Sequence, residues 1–176
     1  MPKEKVDYLL QDIIPLSAIT LFVGFAGDGK SYFTTRLSAM VSKSGNYFRN
    51  QPVPTGKVFI CNSEDNAANT ILPRLQLNGA DTNNVANIDS VERTTRTKGG
   101  TIETYQDMIT LNDITLVRNM CEENPTCKLI IFDLLSAFWG EYNENKGPDV
   151  RIIMSKLKKL AETYNIAVVL VTVETV

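Results

Sequence analysis

The largely apolar run from Ile19 to Val23 (ITLFV) stops at Gly24, and six residues after that glycine a helical pattern takes over. A run this continuously apolar cannot stand half in water, so it predicts a parallel strand covered on both faces. The junction reads GFAGDGKS, in which Gly24, Gly29, Lys30 and Ser31 fit the spacing G-x-x-x-x-G-K-[ST]. Phosphate binding needs strand, loop and helix in this order. Glycines let the backbone turn tightly and bring its N–H groups up to phosphate oxygens, and the following helix points its positive end at them. The candidate cradle runs from Gly24 through Phe25, Ala26, Gly27, Asp28 and Gly29 to Lys30, Ser31 and Tyr32. Lys30 is placed to reach the β- and γ-phosphates of a nucleotide, and the Ser31 hydroxyl to hold Mg²⁺.

Other chemistries are excluded by what the chain lacks. It contains no histidine, which removes His-based triads, His general bases and most zinc sites. Its three cysteines, Cys61, Cys121 and Cys127, show no metal-ligand spacing and read as free thiols. A net charge of −2 argues against a chain coated in positive charge for tight, non-specific nucleic-acid binding. No stretch approaches the roughly eighteen apolar residues of a membrane span. The N-terminus, MPKEKVDYLLQD, is charged where a signal peptide has its apolar core. The expectation is a cytoplasmic protein with no membrane partner, built as one domain over residues 1–176.

In chain order, residues 1–17 read as an amphipathic lead-in, with Val6, Leu9, Leu10 and Ile13 on one helical face before Pro15. The P-loop helix follows, with Phe33, Leu37 and Met40 or Val41 inward. Loop signals fill residues 42–57. Val58 to Asn62 is the second strand, and a helix carrying Ile71, Leu72 and Leu75 comes after it. A short strand near Val85 to Ile88 precedes an irregular loop or hairpin over residues 90–110, whose Arg93, Arg96 and Lys98 form a small basic cluster. That cluster is either a solvated face or a contact to nucleic acid or a neighbouring subunit. Leu111 to Cys121 and Asp149 to Tyr164 read as helices, and Lys128 to Asp133 and Ile166 to Val171 as strands. Strands alternating with helices mark an α/β fold.

Two carboxylates stand at strand ends. In an open parallel sheet, ligands bind beyond the carboxyl ends of the strands. Glu64, just past Asn62, is placed to orient or deprotonate a water attacking a γ-phosphate, or else to serve as a helix N-terminal acid beside Ser63 and Asp65. Asp133 closes KLIIFD, the form of a Walker B segment, and would hold a Mg²⁺-bound water or, from behind, the Ser31 hydroxyl. In the loop after it, Trp139, Tyr142 and Lys146 either stack on bases and touch phosphate, or pack under their own loop.

Four segments together, GFAGDGKS, VFICNSEDNAANTILPRLQLNGAD, KLIIFDLLSAFWGEYNENKGPDVR and IAVVLVT, resemble the RecA-like ATPases of the RepA type, the hexameric replicative helicases. The likeness runs over residues 15–172. It implies a RecA-like P-loop NTPase three-layer fold with a mainly parallel sheet. It also implies Mg-ATP bound by Gly24 to Ser31, with Lys30, Glu64 and Asp133 as catalytic residues and Ser31 and Asp133 at the metal. Such proteins join into homo-oligomeric rings, with single-stranded DNA in the channel.

The departures are Leu134 in place of the usual proline after the Walker B acid, and V-E-T-V in place of H-x-N-K after Thr172. The family's later strands, second DNA-binding loop and arginine finger are not in these residues. The fold is therefore expected to be incomplete at its C-terminal end, and hydrolysis to be weak. Three functions compete: an ATPase acting in DNA replication or repair, a non-catalytic ATP-dependent binding or assembly module, and a small P-loop kinase.

Overall fold

Apolar side chains alternate between two faces along a strand, and a strand that is apolar at every position therefore needs cover on both sides. The computed structural model describes residues 6–62, 67–142 and 146–174 and meets this need with helices on the two faces of one sheet. The chain opens with β1 (Tyr8–Leu10), β2 (Ile14–Pro15), β3 (Ala18–Gly24) and α1 (Lys30–Ser42). Two small strands, β4 (Tyr47–Phe48) and β5 (Gln51–Pro52), lead into β6 (Lys57–Asn62). A π-helical turn, Ala67–Ile71, continues as α2 (Leu72–Leu77), followed by β7 (Val85–Ile88), β8 (Val91–Arg96) and β9 (Ile102–Asp107). The remainder is α3 (Ile114–Glu123), β10 (Cys127–Asp133), α4 (Gly147–Tyr164) and β11 (Ala167–Val173).

The main sheet has five parallel strands in the order β3-β11-β10-β6-β7. Leu129 and Ile131 of β10 face Leu37 and Val41 of α1 and Leu75 of α2, whereas Ile130 and Phe132 face Val117 and Cys121 of α3 and Ile153 and Leu157 of α4. These side chains are fully or almost fully buried, and burial of each contributes about 1.5–3 kcal/mol. The result is an α/β three-layer fold of the RecA-like kind. At Gly56, where the chain enters β6, a Cβ would run into the Thr126 carbonyl oxygen, so only glycine lets the two backbones lie this close.

Two expectations change. The lead-in is not a helix but the antiparallel hairpin β1–β2, turned at Asp12 with a φ of 60°. A register shift between Tyr8 and Leu10 lets consecutive Leu9 and Leu10 both face the core with Ile14, which a regular strand could not do. The strand of the P-loop is parallel as expected, but it is not covered on both faces. β3 lies at the sheet edge, paired only with β11 among the described residues, and Leu21 and Val23 are 53% and 54% exposed. A continuous apolar run does not distinguish an edge strand from a central one.

Residues 90–110 form the hairpin β8–β9, with Gly100 at a φ of 84° in its turn. Two strands alone are marginally stable, and Arg93 ties them to α3. Its Nε donates to Asp107 Oδ2 at 2.7 Å, and its two terminal nitrogens donate to the Asp113 oxygens at 3.0 and 2.8 Å. Arg93 is therefore committed to these carboxylates and leaves the basic cluster to Arg96 and Lys98. Burial pushes the Asp113 carboxyl up, but hydrogen bonds from Arg93 and from the backbone and hydroxyl of Thr110 outweigh it and hold the group below its ordinary value.

A carboxyl with a depressed folded pKa stabilises above its unfolded pKa, near 3.9, and stops doing so as pH falls through the folded value. Asp113→Asn is expected to lower stability by about 1–2 kcal/mol at neutral pH in urea denaturation. The gap from wild type should close as pH drops below about 4, and a gap that persists in strong acid would refute the role of the charge.

Candidate functional site

The parallel register brings the carboxyl ends of β3, β11 and β10 to one rim, where open α/β sheets bind ligands. Val173 pairs with Gly24, and Asp133 pairs with Asn62 at the end of β6. The loop from Gly24 to Gly29 rises from this rim. Gly27 and Gly29 hold φ values of 87° and 81°, a region that side chains with a Cβ rarely enter. Asp28 Oδ2 accepts the Phe25 N–H at 2.8 Å and closes the loop. That oxygen would stand 2.9 Å from a Cβ on Gly24, so the glycine at the strand end is what lets the loop fold back. Lys30 Nζ sits inside the ring, donating to the carbonyls of Gly24 at 2.8 Å and Phe25 at 2.6 Å.

Beneath the loop lies Asp133, only 2% exposed at the end of β10. The Thr34 hydroxyl shares its one proton between the Ser31 carbonyl at 3.0 Å and Asp133 Oδ2 at 3.3 Å, linking the carboxylate to the first turn of α1. The donor set suits a hard cation that keeps oxygen ligands from substrate: one carboxylate and one serine hydroxyl on neighbouring elements. Among the described residues no group of three His, Cys, Asp or Glu side chains gathers to hold a metal by itself. Ligand oxygens would have to complete the coordination.

A cavity of about 360 Å³ opens over these residues, within the range of small-molecule sites. Ala26, Gly27, Gly29, Lys30, Ser31 and Tyr32 line it from the loop and α1, Leu134 and Val173 from the strand ends, and Arg74 from α2. Gly24, Phe25 and Asp28 support the loop from behind, and the Phe25 ring is 51% exposed. Glu64 lies outside the described residues.

Arg74 and Thr34 are site residues that the motif spacing does not reveal. Thr34 sits three residues after Ser31, on the same helical face, and Arg74 lies within P-R-L, on a short helix anchored by buried Leu75. Of the residues singled out in the loop after β10, the two aromatics pack within the chain. Trp139 is 8% exposed and belongs to the core with Phe132 and Phe138. The Tyr142 hydroxyl accepts from Lys156 Nζ at 2.8 Å, with that ammonium 5.3 Å from the ring centre. Lys146 precedes α4, and its carbonyl accepts the Val150 N–H.

A family model described as an AAA domain matches residues 1–172. No curated protein matches the chain.

Thr34→Val keeps the shape of the side chain and removes the hydroxyl that faces Asp133. With a buried carboxylate short of one donor, stability should fall by about 1–3 kcal/mol in urea denaturation, whereas Thr34→Ser should recover most of the loss. Equal stability of the valine variant and wild type would mean that the 3.3 Å contact contributes nothing.

Proposed function

The chain belongs to the AAA domain family, and from that premise we propose that it binds and hydrolyses ATP as a relative of the RepA-type replicative helicases, acting in DNA replication or repair. The observation that carries this reading is the convergence of Lys30, Ser31 and Arg74 on one cavity, at the rim where the buried Asp133 ends β10. Two cations at one cavity favour a polyanion, and the left-handed glycines give the loop the backbone turns that a phosphate cradle needs.

When nucleotide enters, its β- and γ-oxygens replace the carbonyls of Gly24 and Phe25 as acceptors for Lys30. Lys30 and Arg74 then meet the negative charge that grows on the transferring phosphoryl group. Mg²⁺ would be held by Ser31 with Asp133 behind it, and would neutralise phosphate charge. Glu64 is assigned the orientation of the attacking water. Tyr32, 62% exposed at the cavity, offers an aromatic face at its mouth.

Ring assembly and single-stranded DNA as a partner rest on the resemblance to RepA-type helicases. Association through the β3 edge is supported by the half-exposed Leu21 and Val23. The same edge favours a second reading, an ATP-dependent assembly module with slow turnover. Without an arginine from a neighbouring subunit, hydrolysis should be about 10³- to 10⁵-fold slower than in a complete site. ATP turnover measured with and without single-stranded DNA, alongside the mass in solution, separates the two. DNA-stimulated turnover in a ring-sized species supports the motor, and nucleotide binding by a smaller species with negligible turnover supports the module.

Lys30→Ala is expected to abolish binding of a fluorescent ATP analogue, and affinity surviving within a few-fold would reject the P-loop assignment. Glu64→Gln should leave that binding intact and remove residual hydrolysis. Unchanged turnover in this variant would return Glu64 to the role of a helix-terminal acid.

A further inference from the structure

α3 and α4 pack on the face of the sheet opposite α1 and α2, and between them runs a second groove of about 420 Å³. Its lining spans Ile114 to Glu122 on α3 and Lys156 to Tyr164 on α4. At 1.5 Å per residue each wall is about 12 Å long, or two helical turns. Ile114 and the almost buried Leu160 give it an apolar floor. Arg118, Lys156 and Lys159 set three cations around one carboxylate, Glu122, in a chain whose overall charge is −2.

That single carboxylate is already engaged. Glu122 Oε1 accepts the Tyr164 hydroxyl at 2.7 Å, and its approach to Arg118 Nε, at 3.9 Å, is too long for a hydrogen bond. The hydrogen bond to Glu122 pushes the Tyr164 phenol above its ordinary value, which keeps the proton in place. Lys156 is held against Tyr142, and Lys158 pairs with Glu162, which does not line the groove. Lys159 makes no ion pair with a described residue. With three cations to one carboxylate, the described residues leave the groove an excess of positive charge.

We propose that this groove docks a short acidic amphipathic segment of a partner protein, with carboxylates on Arg118 and Lys159 and an aliphatic side chain on Ile114 and Leu160. Two turns of groove match the i to i+7 reach of an amphipathic helix. The planar fork of Arg118 matches a carboxylate, which can draw it away from its loose contact with Glu122. The cations are side chains spread along two helices, not a nest of backbone N–H groups. Such an arrangement suits several carboxylates spaced along a chain better than one compact phosphate.

The test uses the full chain and a fluorescein-labelled synthetic peptide with glutamates and leucines at helical spacing, read by anisotropy. Saturable binding that weakens with salt is expected. It should fall at least tenfold in the double variant Arg118→Glu/Lys159→Glu, and again when the glutamates of the peptide are replaced by glutamine. Both protein sites lie on the surface, and circular dichroism checks that the variant is folded; Arg118→Gln/Lys159→Gln serves if it is not. Lys30→Ala should bind the peptide as wild type does, which separates this groove from the P-loop cavity. The proposal is overturned if the peptide shows no saturation below about 1 mM, the weak end of specific association. It is also overturned if the folded double variant binds unchanged, or if a single-stranded oligonucleotide displaces the peptide at lower concentration.

Discussion

The ladder joining β3 to β11 and β11 to β10 is the interaction on which the rest of the molecule depends. Parallel pairing fixes all strand directions, and so it sends Gly24, Val173 and Asp133 to the same rim of the sheet. β10 and β11 are buried on both faces along most of their length, so chemistry is left with their ends. The polar groups cluster there because the interior has no place for them: Asp133, almost fully buried, is tolerated where Thr34 can reach it.

At that rim the loop is organised around a positive charge. The Lys30 ammonium draws the carbonyls of Gly24 and Phe25 inward, while the Asp28 carboxylate takes the Phe25 N–H on the other side of the same peptide segment. The loop is thus closed by contacts that phosphate oxygens can take over from the carbonyls. An acceptor of full negative charge makes a stronger hydrogen bond to an ammonium than a neutral carbonyl does. The geometry at Gly27 and Gly29 can survive that exchange because it is set by backbone angles.

Legibility in the sequence followed the range of the interactions involved. The P-loop, the apolar strands β6, β10 and β11 and the regular helix α4 rest on local spacing and could be read directly. The β1–β2 hairpin could not, because Val6, Leu9, Leu10 and Ile13 satisfy a helical period as well as a bulged strand, and only the core chooses between them. Long-range partners decided Arg93, which Asp113 on another element takes out of the basic cluster, and Trp139, which Phe132 and Phe138 draw into the core. Arg74 was hidden for the same reason: nothing near it in the chain says that α2 leans toward the P-loop cavity. Glu64, read from the end of β6, falls among residues outside the described structure.

The position of β3 adds a mechanical consequence. A P-loop on a central strand would be braced by two neighbours, whereas here its strand has one partner, β11, among the described residues. Edge strands expose unpaired backbone groups and invite pairing, and this one adds half-exposed Leu21 and Val23 to the invitation. A chain that covered the edge would bury both side chains and hold the loop from its second side. Burial is worth about 25 cal/mol for each Å² removed from water, so covering Leu21 and Val23 would favour such pairing. Pairing at this edge would extend the ladder to the strand whose last residue, Gly24, opens the cradle.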